Sequence, residues 1–280
     1  MFYRNYKIFI ILFLLFSSSS FAQRRDLIPE KPDPDNIDVK IFRTINNSQC
    51  GFLNNVIPIT DKSILFTSTL TPAILFGVSR ANNNYYDENS SVLLALSEML
   101  SSGIVIGTKN IVKRERPYKT LSNVHYNKSK FLLDRYSFPS GHSAMSFAMA
   151  TSLTLRYPDK PILISGVYLY STVISLGRIF LGVHYPSDVL AGMLVGSGSA
   201  VIIHSLRKEI IEVKNNLFRE KGREDVNEKS VSTPLIFSSF IATDILNFIL
   251  KTINNKTLNS SNIGFDLNGY NNNVKINYNF

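Results

Sequence analysis

A single cysteine, Cys50, occurs in 280 residues. The chain can therefore form no disulfide within itself and offers no multi-cysteine metal site; a buried structural role is expected for Cys50. Acidic residues are scarce as well. The 21 Asp and Glu face 30 Lys and Arg, a net charge of +9, which suits a chain that meets phosphates or lipid headgroups. No long basic run with interleaved aromatics is present, nor any zinc-finger, RNA-recognition or basic-zipper pattern, so nucleic acid is not an expected partner. No βαβ alternation and no internal repeat is visible, which argues against a doubly wound sheet or a solenoid. What remains is a chain with 44% hydrophobic residues, enough to bury one sizeable core.

The first residues read as an address. Arg4 and Lys7 precede the apolar stretch Ile8 to Phe16, and Ser20-Phe21-Ala22 places small residues three and one positions before a cut. Residues 1–22 are expected to be a signal peptide that exports the chain to the periplasmic side of a bacterial membrane. An uncleaved anchor is the alternative, although the apolar core is short for a span of about 20 residues. Residues 23–36, proline-rich and with alternating charges, read as an extended tether.

From residue 37 to 206 the pattern is that of an all-α helical bundle. Apolar stretches run from about Ile64 to Val78, Val92 to Ile106, Ala144 to Leu155, Pro161 to Leu181 and Val189 to Leu206, separated by polar segments. Several are short for a bilayer and Glu98 interrupts the second, so they suit either short transmembrane helices or the core of a soluble bundle. Residues 207–233 read as a charged amphipathic helical extension whose charges form a solvated face. Residues 234–280 form a tail. Within it Ile263, Phe265 and Leu267, then Val274, Ile276, Tyr278 and Phe280, alternate around Asn268-Gly269 and predict a terminal β-hairpin.

Chemistry concentrates in three blocks. Lys109 and Arg116, seven apart, fall near one helical face if the helix continues to Pro117, and can converge on one anion. Alone they serve equally as the solvated or lipid-anchored end of a helix. Pro139-Ser140-Gly141-His142 leads into the apolar run from Ala144, where Ser140 and Gly141 can cradle an anion at the positive end of a helix dipole; an ordinary capped start would look the same. In the third block Arg178 lies inside an apolar run, so a bound anion or a buried carboxylate must meet it. Pro186 suits a helix start that puts His184 just before it and Asp188 in its first turn. Asp188 there can orient His184, leaving its other ring nitrogen to attack phosphorus, or can simply cap the helix.

Together, Lys109-x6-Arg116-Pro117, Pro139-Ser140-Gly141-His142 and Gly177-Arg178-x5-His184-x3-Asp188 resemble the type 2 phosphatidic acid phosphatase superfamily, which includes lipid phosphatases, bacterial class A acid phosphatases and vanadium haloperoxidases. The motifs span residues 109 to 188. Gly177 departs from the pattern, since the family usually has Ser there; restoring it, Gly177→Ser, is expected to be tolerated and to tighten phosphate binding unless Gly177 packs against a neighbouring helix.

The resemblance implies a helical bundle of that family's type and a metal-independent phosphoric monoester hydrolase or diphosphatase needing no cofactor. Lys109, Arg116 and Arg178 would hold the phosphoryl oxygens, with Ser140 and the Gly141 backbone adding donors. His184 would attack phosphorus, and His142 would protonate the leaving group and then activate water. A phosphorylated lipid at a membrane is the first substrate class. A small phosphate ester, hydrolysed by a soluble periplasmic acid phosphatase, is the second. A haloperoxidase would need bound vanadate, and a noncatalytic membrane protein would be indifferent to the loss of His184. The other histidines carry plainer expectations: His204 as a packed or interfacial side chain, and His125 in a basic loop that either guides an anion or is merely solvated.

Overall fold

The computed structural model describes residues 35–126, 135–220 and 225–226. The signal peptide, nearly all of the tether and the C-terminal hairpin fall outside these residues. Among the described residues the fold is all-α, as expected, with eight helices: α1 (Ile37–Asn46), α2 (Gly51–Ala81), α3 (Tyr85–Val112), α4 (Pro117–Thr120), α5 (Gly141–Arg156), α6 (Pro161–Phe180), α7 (Pro186–Ser205) and α8 (Arg207–Leu217). Their starts follow local chemistry. The side chains of Asn36, Asn84 and Ser140 accept backbone N–H groups at the N-termini of α1, α3 and α5, and Pro161 and Pro186 open α6 and α7.

Helix α2 begins well before the apolar run from Ile64. Its first turns, in which Asn54, Asn55 and Pro58 break up the apolar residues, bury Ile57 against Phe180, Leu181 and Val183, a tertiary contact that composition does not show. Residues 207–217 are helical, with Ile211 buried, and most of the rest of the expected extension to residue 233 lies outside the described residues. Not all of their charges are solvated, however: Lys214 is buried and its Nζ donates to Glu88 Oε1 at 2.7 Å. The α8 helix is thereby tied to the start of α3. Cys50 is exposed rather than buried, because it stands at the N-cap of α2 in the turn from α1.

The long helices alternate in direction, so one end of the bundle gathers the start of α2, the end of α3, the start of α5, the end of α6 and the start of α7. The closest packing is between α5 and α7. It depends on Gly192, where any Cβ would run into the Ser140 carbonyl, and on Gly196, where it would meet that of Ala144.

Four stretches, Ser63–Ala81 of α2, Tyr85–Thr120 across α3 and α4, Pro161–Phe180 and Pro186–Ser205, are by length and composition long and apolar enough to cross a membrane. Ile162, Leu169 and Leu176 recur at sevens along the outside of α6, and Leu190, Leu194 and Val201 line the outside of α7, all exposed. The interior is instead rich in serine, with Ser143, Ser146, Ser171 and Ser175 fully buried. Apolar side chains outside and small polar ones inside favour the membrane-spanning alternative over the soluble bundle. Glu98 does not interrupt the outer face, since it points inward and is only 5% exposed.

Candidate active site

Helix α3 ends earlier than Pro117. Lys113 takes up the left-handed conformation with φ 51°, and Arg116 follows in extended backbone as the N-cap of α4, with Pro117 as its first residue. Lys109 and Arg116 are therefore not two rungs of one helical face, and Pro117 opens a helix instead of ending one. The cause lies in Arg114, which is drawn sideways to two carboxylates, donating to Asp38 Oδ2 at 2.7 Å and Asp188 Oδ1 at 2.6 Å. The two cations still converge. Lys109 Nζ donates to the Tyr136 carbonyl at 2.7 Å, and Arg116 Nη1 to that of Val183 at 3.0 Å; both side chains are buried.

The second block folds as its residues suggest. Ser140 caps α5, its Oγ accepting from Ser143 N at 3.4 Å and Ser143 Oγ at 2.9 Å, which leaves its own O–H to be donated. Gly141 and His142 are the first two residues of the helix. Their backbone N–H groups lie in the first turn, which has no intrahelical acceptor for them. Ser140 N donates to the Asp188 carbonyl at 2.9 Å, which fixes the starts of α5 and α7 beside each other.

In the third block both proposed uses of Asp188 coexist. It is the third residue of α7 and closes a capping box by accepting from Tyr185 N at 2.8 Å. The same Oδ2 lies 3.5 Å from His184 Nδ1, and Arg114 holds the other oxygen. On its far side His184 Nε2 lies 3.2 Å from Arg116 Nη1. A guanidinium can only donate, so Nε2 must be the acceptor and the ring proton belongs on Nδ1, towards Asp188. Burial, together with Arg116, Arg178, Lys109 and His142, pushes the His184 pKa well below its usual value. The imidazole is thus neutral at pH 7, with a lone pair directed among cations.

Arg178, 2% exposed, meets the buried carboxylate that its position demanded. Asp61 of α2 forms an ion pair with its Nη1 and lies 3.7 Å from His142 Nε2. The structure therefore brings together all eight residues named from sequence and adds three that were not: Asp61, Arg114 and Asp38. Asp61 carried a faint signal, as an acid at the edge of an apolar helix in a chain whose buried Arg178 required a counter-charge. Nothing in the sequence pointed to Asp38, which ties α1 to the site by accepting from Arg114 and from Ser187 N and Oγ. His125 is held by its backbone, accepting from and donating to the side chain of Asn46, and His204 is half-buried in the last turn of α7.

The geometry at Gly177 alters the outcome expected for serine there. A Cβ would point at α2 and come within 3.0 Å of Ile57 Cγ2. That methyl sits on a β-branched side chain and cannot swing aside without a rotamer change. Gly177→Ser is expected to lower turnover and weaken inhibition by inorganic phosphate, with an overpacking cost of about 1–3 kcal/mol. Adding Ile57→Ala should restore both, and inhibition constants for the single and double variants check this. A single variant that binds phosphate more tightly would contradict the steric account.

The PAP2 superfamily matches residues 90–212, which include all eight residues named from sequence. LpxE of Aquifex aeolicus, known from a crystal structure, is 30% identical to this chain, which covers 96% of its length. Residues 90–212 belong to the PAP2 superfamily. The similarity to LpxE extends over 61% of this chain, with a TM-score of 0.48. Among curated relatives, an undecaprenyl-diphosphatase of Sulfolobus acidocaldarius is 27% identical over 165 residues, 57% of this chain and 73% of the relative. A decaprenylphosphoryl-5-phosphoribose phosphatase of Mycobacterium tuberculosis is 34% identical over 107 residues, 38% of this chain and 55% of the relative. Membership and these relatives support a phosphatase role for this PAP2 protein, and its four apolar helices support residence in a membrane.

Proposed function

We propose that this PAP2 protein removes the terminal phosphoryl group of a lipid phosphate or diphosphate through a phosphohistidine on His184, at the periplasmic side of a membrane and without a metal. The observation that carries the proposal is the state of His184, a buried neutral imidazole with Nδ1 towards Asp188 and Nε2 accepting from Arg116. An anion drawn to Arg116 arrives at that lone pair. In the attack, Nε2 forms a bond to phosphorus as the bond to the leaving oxygen breaks, and Asp188 stabilises the cationic ring. Lys109, Arg116 and Arg178, with the Ser140 hydroxyl and the Gly141 N–H, meet the charge on the phosphoryl oxygens, the task that metal ions perform elsewhere. His142 gives a proton to the leaving oxygen, then takes one from the water that attacks the phosphohistidine and releases phosphate.

A lipid substrate is favoured by where the site lies. Lys109 and Arg178 stand within the last turn of α3 and α6, and Ser140 and Asp188 at the starts of α5 and α7, so the site sits at one end of the apolar helices, at headgroup depth. The named activities of the relatives, on prenyl-linked phosphates, agree with this. The N-terminal signal pattern supports the periplasmic side.

Two measurements test the chemistry. Protein mixed with phosphorus-labelled substrate and quenched in alkali, where phosphohistidine survives, should retain label, and His184→Ala should retain none. Activity should persist in excess EDTA and be inhibited by vanadate. Loss of activity on chelation, restored by magnesium, would overturn the metal-independent scheme.

A further inference from the structure

One of the groups that fix Asp188 lies outside residues 90–212, the part of the chain that matches the PAP2 family. Asp38 stands on α1, yet its carboxylate reaches the start of α7. Its Oδ1 accepts from Ser187 N at 2.8 Å, and its Oδ2 accepts from Ser187 Oγ and, at 2.7 Å, from Arg114 Nη2. Arg114 Nη1 spans the same gap from the other side, donating to Ser187 Oγ at 2.7 Å and to Asp188 Oδ1 at 2.6 Å. Asp38, Arg114 and Ser187 thus close a ring of hydrogen bonds one residue from Asp188.

Packing backs that ring. Helix α1 buries Val39 and Phe42 against Ile179, Tyr185 and Val189, with the Phe42 and Tyr185 ring centroids 5.9 Å apart. The Arg114 guanidinium lies 4.0 Å from the centroid of the same Tyr185 ring, a cation–π contact that steadies it. The Tyr185 hydroxyl is 2.6 Å from Thr120 Oγ1. Helix α1 is therefore seated on the residues that flank His184, and the seat carries Asp38 to Arg114.

The charges explain why two partners are needed. Asp188 is fully buried and His184 nearly so, whereas the side chains of Arg114 and Asp38 are 31% and 15% exposed. An unpaired carboxylate in the place of Asp188 is costly and takes up a proton. Arg114 removes that cost, but a guanidinium given wholly to Asp188 would also cancel the negative charge that the Nδ1–H of His184 needs opposite it. Asp38 prevents this by sharing the cation. Asp38, Arg114 and Asp188 together keep a single negative charge, which is matched when attack on phosphorus makes the His184 ring cationic. A protonated Asp188 would instead offer a donor to Nδ1, the ring proton would move to Nε2, and the lone pair that meets phosphorus would be lost.

We infer that Asp38 and Arg114 are positioning residues for the phosphohistidine step, which together keep Asp188 an ionised acceptor and so keep the His184 proton on Nδ1. This rests on the phosphatase reading and deepens it, since α1 becomes part of the catalytic unit rather than a cap on the bundle. Neither residue is among the groups that hold the phosphoryl oxygens.

The test measures kcat and inhibition by inorganic phosphate, with farnesyl phosphate in detergent micelles as substrate. Arg114→Met should lower kcat by about 10²-fold and Asp38→Asn by about tenfold, against about 10⁴-fold for Asp188→Asn, the scale of a wrong histidine tautomer. The phosphate inhibition constant should change by less than about threefold in Arg114→Met and Asp38→Asn, because the cations that bind phosphate are untouched. In the Asp188→Asn background either substitution should cost less than about threefold more, since both act through that carboxylate. Asp38→Asn removes a charge and no bulk, so it carries the test alone if Arg114→Met does not fold. Phosphate inhibition that weakens as much as kcat falls, losses that multiply with that of Asp188→Asn, or an unchanged kcat each overturn the positioning role. Hydrolysis by the wild type, lost in His184→Ala, leaves the phosphatase reading standing in those cases. Failure of the wild type to hydrolyse farnesyl phosphate overturns both.

Discussion

Replacing His184 with alanine is expected to lower turnover by at least about 10⁴-fold, the scale seen when a covalent nucleophile is removed and only binding and charge stabilisation remain. The loss should be the same for every substrate, because each needs the nucleophile. His142→Ala should behave differently. Its imidazole is partly accessible, with the side chain 17% exposed, and lies next to Asp61, as suits a group that passes protons between leaving group, water and solvent. General acid catalysis contributes about 10²–10⁴-fold where the leaving group needs protonation. A loss of that size is expected on alkyl and prenyl phosphates and a much smaller one on p-nitrophenyl phosphate, whose leaving oxygen is already a weak base. Equal losses for His142→Ala on the two substrate types would refute the general-acid assignment, and residual turnover by His184→Ala near the wild-type level would refute the nucleophile.

The second large effect concerns Asp61. Its carboxylate neutralises Arg178 when no phosphate is bound, and both side chains are buried, so removing it strands a cation in the protein interior. Asp61→Ala should cost about 3–5 kcal/mol of stability, the range measured when one member of a buried pair is lost. A ligand anion can take the place of the missing carboxylate. Inorganic phosphate or vanadate should therefore raise the melting temperature of the variant far more than that of the wild type, and phosphate should inhibit the variant at a concentration at least about tenfold lower. Thermal melts with and without phosphate decide this. Equal phosphate stabilisation in variant and wild type would show that Asp61 does not compete for the phosphate position.

Much of the site was legible because its chemistry is local. Ser140-Gly141-His142 fold as a helix start because a hydroxyl caps the backbone N–H of Ser143 three residues on, and Pro186 with Asp188 folds as another because proline fits a first helical position and a carboxylate closes a capping box. Arg178 in an apolar run announced a buried counter-charge without naming it. The Lys109–Arg116 geometry departs from helical periodicity for a non-local reason. Periodicity extends α3 to Pro117, but Arg114 is held by Asp38 and Asp188, far away in sequence, and the helix stops at Val112.

The sequence by itself determined that the chain is helical, which side chains could meet a phosphoryl group, and where three helices begin, since these follow from spacing, apolar periodicity and capping within a few residues. Only the tertiary structure decided that Asp61 faces Arg178, that Asp38 reaches the site through Arg114, that Gly177 abuts Ile57, and that an apolar face turns outward while serines line the interior. Those contacts join residues dozens to more than a hundred positions apart, and their energies depend on which helices pack together, so no local pattern records them.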